Sequence, residues 1–93
     1  MKLIHLSEED DFWPEGTESV PGFGSGCFFY EMPEYEEEVK DLIEAWGGRN
    51  AFFFEIDDKY VEFVQDEGIA EYFVSADNLS KLYGIEPELK QMI

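Results

Sequence analysis

Carboxylates are the side chains best placed to do chemistry in this chain, because 23 Asp and Glu stand against six Lys and Arg, for a formal charge of −17. They gather in three places. Glu8, Glu9, Asp10 and Asp11 form a run, Glu36, Glu37, Asp41 and Glu44 recur at helical spacing, and Asp57 and Asp58 are adjacent. Clustered carboxylates could bind a cation, work as acid and base, or present charge to a partner. Calcium takes about six to eight oxygen ligands, but neither the run 7–11 nor the run 55–60 has the glycine and distal Glu of an EF-hand loop. Zinc would want more than His5 and Cys27, the only imidazole and thiol. Paired carboxylates for glycoside hydrolysis would need a substrate cleft, for which 93 residues leave little room.

Other chemistry is weaker still. Cys27 and His5 could be imagined as nucleophile and base, but Cys27 opens an apolar run, and acidic surroundings disfavour a thiolate. Gly22, Gly24 and Gly26 lead into a strand, with no Lys nearby, so they read as a turn and not as a phosphate cradle. No enzyme, metal site or cofactor is expected.

The elements that must position the acids follow from periodicity. Tyr35, Val39, Leu42, Ile43 and Trp46 make one apolar stripe at the helical period. A helix is expected from Pro33, with Glu34, Glu36 and Glu37 at its positive end and Gly47-Gly48 as its stop. Its other face, with Glu36, Glu37, Lys40, Asp41 and Glu44, points to water.

Lys2 to Leu6 reads as a short strand with Leu3 and His5 on one face and Ile4 and Leu6 on the other. Ser7 to Gly26 reads as a long loop, rich in Gly, Pro and acids, in which Trp13 and Phe23 either anchor a partner or tuck into the core. Cys27 to Met32 reads as a strand. Ala51 to Ile56 and Lys59 to Gln65 read as a hairpin turned at Asp57-Asp58, with Phe52, Phe54 and Ile56 on one face, and Ala70 to Val74 would complete a meander. A helix is expected from Ala76 to Tyr83 and a short one from Pro87.

This last region, with Leu79, Leu82, Tyr83-Gly84-Ile85 and Glu86-Pro87, resembles a helix-turn-helix element. DNA binding does not follow, because Glu86 and Glu88 would stand at the end that faces DNA. Two short helices packed on the sheet are expected. The whole is one α+β domain over residues 1–93: a small antiparallel sheet, a three-stranded meander plus one or two N-terminal strands, against one amphipathic helix and a short C-terminal helix pair.

Hydrophobic residues make up 44% of the chain, with nine Phe, five Tyr and two Trp, so a core can form despite the charge. A lone cysteine, no signal-peptide run and no apolar span lead to a cytoplasmic placement. The net charge repels nucleic acid and anionic membranes and draws in basic proteins, over a Debye length of about 8 Å. Solubility alone asks for a net charge of only about 2 to 8.

The expected role is therefore that of a small inhibitor laid over the basic, nucleic-acid-binding surface of a nuclease or other nucleic-acid enzyme. In size and charge, though in nothing more specific, the chain is similar to phage anti-CRISPR and anti-restriction proteins and to uracil-glycosylase inhibitors. An immunity protein or antitoxin against a basic nuclease toxin predicts the same surface. A non-inhibitory interaction or structural module predicts instead a salt-tolerant interface around aromatics. The residues expected to carry binding are Glu8, Glu9, Asp10, Asp11, Trp13, Glu36, Glu37, Asp41, Glu44, Asp57 and Asp58.

Overall fold

The computed structural model describes residues 1–10, 19–48 and 50–91. In chain order the elements are β1 (Lys2–Ser7), β2 (Ser19–Val20), β3 (Gly24–Glu31), α1 (Glu36–Trp46), β4 (Asn50–Glu55), β5 (Glu62–Asp66), β6 (Ala70–Ser75) and β7 (Tyr83–Gly84). Single 3₁₀ turns occupy Asp58–Tyr60 and Ala76–Lys81. Six strands form one antiparallel sheet in the order β5-β6-β3-β1-β4-β7, and β2 pairs with the start of β3.

Alternation along the central strands puts apolar side chains on both sides of this sheet. Leu3 of β1 joins Phe29, Phe54, Ile56 and Val74, together with Leu79 of the second 3₁₀ segment and Leu82 just after it. Ile4, the next residue, points the other way and meets Val39 and Leu42 of α1. Leu3, Ile4, Phe29, Phe73 and Val74 are completely buried, each contributing about 1.5 to 3 kcal/mol of transfer free energy. Gly26 lies so close to β6 that a Cβ there would overlap the Val74 carbonyl and the Phe73 ring, which explains a glycine inside a strand.

The strand faces expected for β1 and for Phe52, Phe54 and Ile56 are found, but the fold class is corrected. The protein is mostly sheet, with one α-helix and no C-terminal helix pair among the described residues. No hairpin turns at Asp57-Asp58, and there is no three-stranded meander. β4 pairs with β1 on one side and β7 on the other, while β5 pairs with β6 at the opposite edge. The reason lies in side-chain character. β4 offers Phe52 and Phe54 to one core and Ala51 and Phe53 to the other, so it needs neighbours buried on both faces. β5, Glu-Phe-Val-Gln-Asp, is mostly exposed and suits an edge.

The C-terminal region follows the same logic. Leu79 in the 3₁₀ segment and Leu82, the extended residue that follows it, are both buried, three positions apart. Gly84 then pairs with Phe54, and the Ile85 amide donates to the Phe53 carbonyl at 3.0 Å. The open edge of β4 captures this backbone as a strand, so the helix-turn-helix likeness is not realised.

Two further corrections concern α1 and the long loop. The helix begins at Glu36 and not at Pro33, because the preceding backbone is drawn into a bridge: the Lys90 amide donates to the Glu34 carbonyl and the Glu36 amide to the Lys90 carbonyl, both at 3.0 Å. Tyr35 is the extended N-cap and Gly47, at φ 74°, the left-handed stop. Ser7 to Gly26 is not loop throughout, since β1 runs to Ser7, β2 lies within it and β3 begins at Gly24. Phe23 packs against the Phe28 and Phe73 rings at 5.8 and 5.2 Å. Asp11 and Trp13 lie outside the described residues. Among the described residues no helix is long and apolar enough to cross a membrane.

Candidate functional site

The first turns of α1 carry Glu36, Glu37 and Glu38, where the positive end of the helix dipole stabilises negative charge. Val39 and Leu42 face the sheet and are buried, which turns Glu37, Asp41 and Glu44 outward, all exposed. Glu36 is half-buried and reaches the Lys40 ammonium at 3.8 Å.

Beside the helix runs an open cleft of about 570 Å³. Glu38 and Asp41 line its α1 wall, Glu31 and Glu34 line the connection from β3, and the turn between β5 and β6 contributes Gly68 and Ile69. Apolar surface comes from Met32, Pro33, Leu42, Ala45 and Ile69, and no Lys or Arg is among the described residues that line it. The bridge to Lys90 fixes the Glu34 wall, while the Lys90 ammonium sits over the Tyr35 ring, 5.8 Å from its centre. Four carboxylates thus line one cleft together with apolar side chains, with no Lys or Arg among its described lining residues.

A second cleft, of about 560 Å³, lies at the end of β4 and contains Glu55, Asp57, Asp58, Tyr60 and Lys81. Here charge is balanced from within. The amino-terminal ammonium of Met1 donates to the Ile56 carbonyl at 2.7 Å and meets Asp58 at 3.1 Å. Lys59 and Lys81 both lie over the Tyr60 ring, at 5.1 and 5.7 Å. Tyr83 donates to Glu55 at 2.6 Å, and that bond holds its phenol above the usual range.

The acids singled out by sequence are therefore not one patch. The Glu9 backbone carbonyl and the Asp10 carboxylate accept hydrogen bonds from the Asn50 side-chain amide at 3.0 and 3.2 Å, at the start of β4. Asp57 and Asp58 follow its far end, a strand length of roughly 20 Å away. Glu37, Asp41 and Glu44 share the exposed side of α1. Glu31, Glu34 and Glu38 are not among the binding residues expected from sequence, because only the tertiary fold brings the end of β3 and the β5–β6 turn alongside the helix.

Trp46, expected in the buried stripe, is 59% exposed. It stacks on Tyr30 with ring centres 5.8 Å apart and planes at 28°. Burial, and then the Glu71 carboxylate, raise the Tyr30 phenol above its ordinary value. Trp46 ends the helix just before Gly47, so its ring is left outside the core yet held flat against a tyrosine.

The His5 ring donates from Nδ1 to the Phe28 carbonyl at 2.8 Å and packs edge-on to Phe29. Burial lowers its pKa, so the neutral ring is favoured. Among the described residues no group of three or more His, Cys, Asp or Glu is arranged to hold a metal ion. Compared with protein-family models, curated proteins and solved structures, the chain matches none.

Proposed function

We propose that the protein is an acidic inhibitor that covers a basic, nucleic-acid-binding surface on a target protein, a nuclease or another nucleic-acid enzyme in the cytoplasm. The observation that carries this reading is the α1 face with its cleft, which Glu31, Glu34, Glu38 and Asp41 line with no Lys or Arg among the described lining residues, and from which Glu37 and Glu44 continue the charge outward. Leaving such carboxylates unpaired destabilises the compact state by self-repulsion. A cationic surface removes that repulsion on binding and is approached quickly through electrostatic steering. The helix rises about 1.5 Å per residue, so acids three or four positions apart are spaced by about 5 to 6 Å, sparser than duplex phosphates yet regular. Trp46, rigidly stacked and exposed, supplies an aromatic anchor of the type enriched at binding hot spots.

The test is capture of partners from the native host at low salt, with release by a salt gradient. A nucleic-acid enzyme that is released at moderate salt, displaced by added DNA or RNA, and inhibited by the purified protein supports the reading. A salt-resistant partner with no nucleic-acid role, or a nucleic-acid enzyme whose activity is untouched, sinks it.

A further inference from the structure

The α1 cleft is more than a stretch of negative surface, because its walls and its base differ in chemistry. Carboxylates stand on two walls from different elements, Glu31 and Glu34 on one and Glu38 and Asp41 on the other, while Leu42, Ala45 and Ile69 give apolar surface between them. A phosphate or any other anion is repelled there. A bare metal ion finds no ligand trio among the described residues. A second copy of the chain brings a further −17.

A side chain with a long apolar stem and a cationic head fits both features, its stem covering apolar surface and its head reaching carboxylates. Arginine suits the arrangement better than lysine, since its planar guanidinium carries five donors and is less strongly hydrated, so it can serve acids on both walls at once. The volume of about 570 Å³ exceeds one side chain, which leaves room for the backbone that presents it.

We propose that this cleft is the docking site for an arginine-bearing extended segment of the partner protein. The proposal rests on the inhibitor reading for the partner's basic character, but it concerns a defined pocket and a defined side chain. It implies that position matters among acids of one helix. Glu38 and Asp41 line the cleft, whereas Glu37 and Glu44 on the same helix do not.

The experiment uses the full-length protein and three synthetic peptides, Gly-Arg-Gly-Arg-Gly and its lysine and citrulline counterparts. Affinity is measured by calorimetry and the site is mapped by amide chemical shifts. The expected result is tighter binding of the arginine peptide than of either counterpart, with shifts concentrated at Leu42, Ala45 and Ile69. Glu38→Gln with Asp41→Asn weakens binding at least fivefold, while the charge-matched pair Glu62→Gln with Glu86→Gln, exposed and outside the cleft lining, changes it less than twofold. Ala45→Met, which fills the cleft at constant charge, also weakens binding at least fivefold. Circular dichroism of each variant establishes that the fold is kept.

Equal losses from the two charge-matched pairs, shifts spread over the whole acidic surface, or an Ala45→Met variant that binds normally would overturn the docking site. Each of those results leaves the inhibitor reading standing, because displacement of nucleic acid from the target is measured separately. Conversely, a target that ignores nucleic acid removes the inhibitor reading without touching the peptide data.

Discussion

The two clefts are nearly equal in size, about 570 and 560 Å³, and both are rich in carboxylates, yet they are electrostatic opposites. Around Tyr60 the protein supplies its own cations: the Met1 ammonium at Asp58, and Lys59 and Lys81 over the ring. Along α1 no Lys or Arg is among the described residues of the lining. Acid content alone therefore does not mark a binding site. What distinguishes the α1 cleft is that its charge is left for something else to neutralise, while the second cleft is already satisfied and serves to hold the chain together.

The comparison can be broken most forcefully by reversing charge on α1. Glu37→Lys, Asp41→Lys and Glu44→Lys together should weaken target binding at least tenfold at physiological salt, since exposed pairs contribute about 0.2 to 1 kcal/mol each and reversal replaces attraction by repulsion. Fluorescence titration against the target measures this, and unchanged affinity removes α1 from the interface. Trp46→Ala should come next, with about a threefold to thirtyfold loss of affinity and little change in thermal midpoint, because the ring is largely outside the core.

Single neutralisations sharpen the contrast through the sign of a smaller effect. Glu38→Gln should stabilise the free protein by about 0.3 kcal/mol, because it relieves repulsion in the unbalanced cleft. Asp58→Asn should destabilise it by about 0.5 kcal/mol, because it strands the amino-terminal ammonium. Urea unfolding of the two variants decides between opposite and equal signs, and equal signs would erase the distinction between the clefts.

Much of this was readable before any coordinates. The 3.6-residue stripe through Val39 and Leu42 and the stop at Gly47 are local signals, and they gave α1 to within three residues at its start. The two-residue alternation placed Leu3 and Ile4 on opposite faces. Pairing was not readable, because the turn residues Asp57-Asp58 say that the chain bends and not which strand it will join. That choice depended on β4 needing burial on both sides, a property that emerges only when β1 and both cores are present. The C-terminal leucines carry a spacing shared by helix and 3₁₀ turn, and the unpaired edge of β4 decided the outcome. The same limit applies to the site: Glu37, Asp41 and Glu44 followed from helical geometry, while Glu31 and Glu34 joined Glu38 only through the packing of distant segments.

The backbone bridge that ties Glu34 and Glu36 to Lys90 also governs the order in which the molecule is built. The first turn of α1 finds its partner in a segment from the far end of the sequence, and β1 sits between β3 and β4, both contributed later by the chain. Loops of such length must close before their contacts return any stability, so folding belongs to the milliseconds-to-seconds regime of non-local topologies. During synthesis the acidic helix has its periodicity as soon as Trp46 is made, but the bridge that fixes its first turn can form only after Lys90 is made. The Glu34 side of the acidic cleft is consequently fixed by one of the last residues of the sequence to be made.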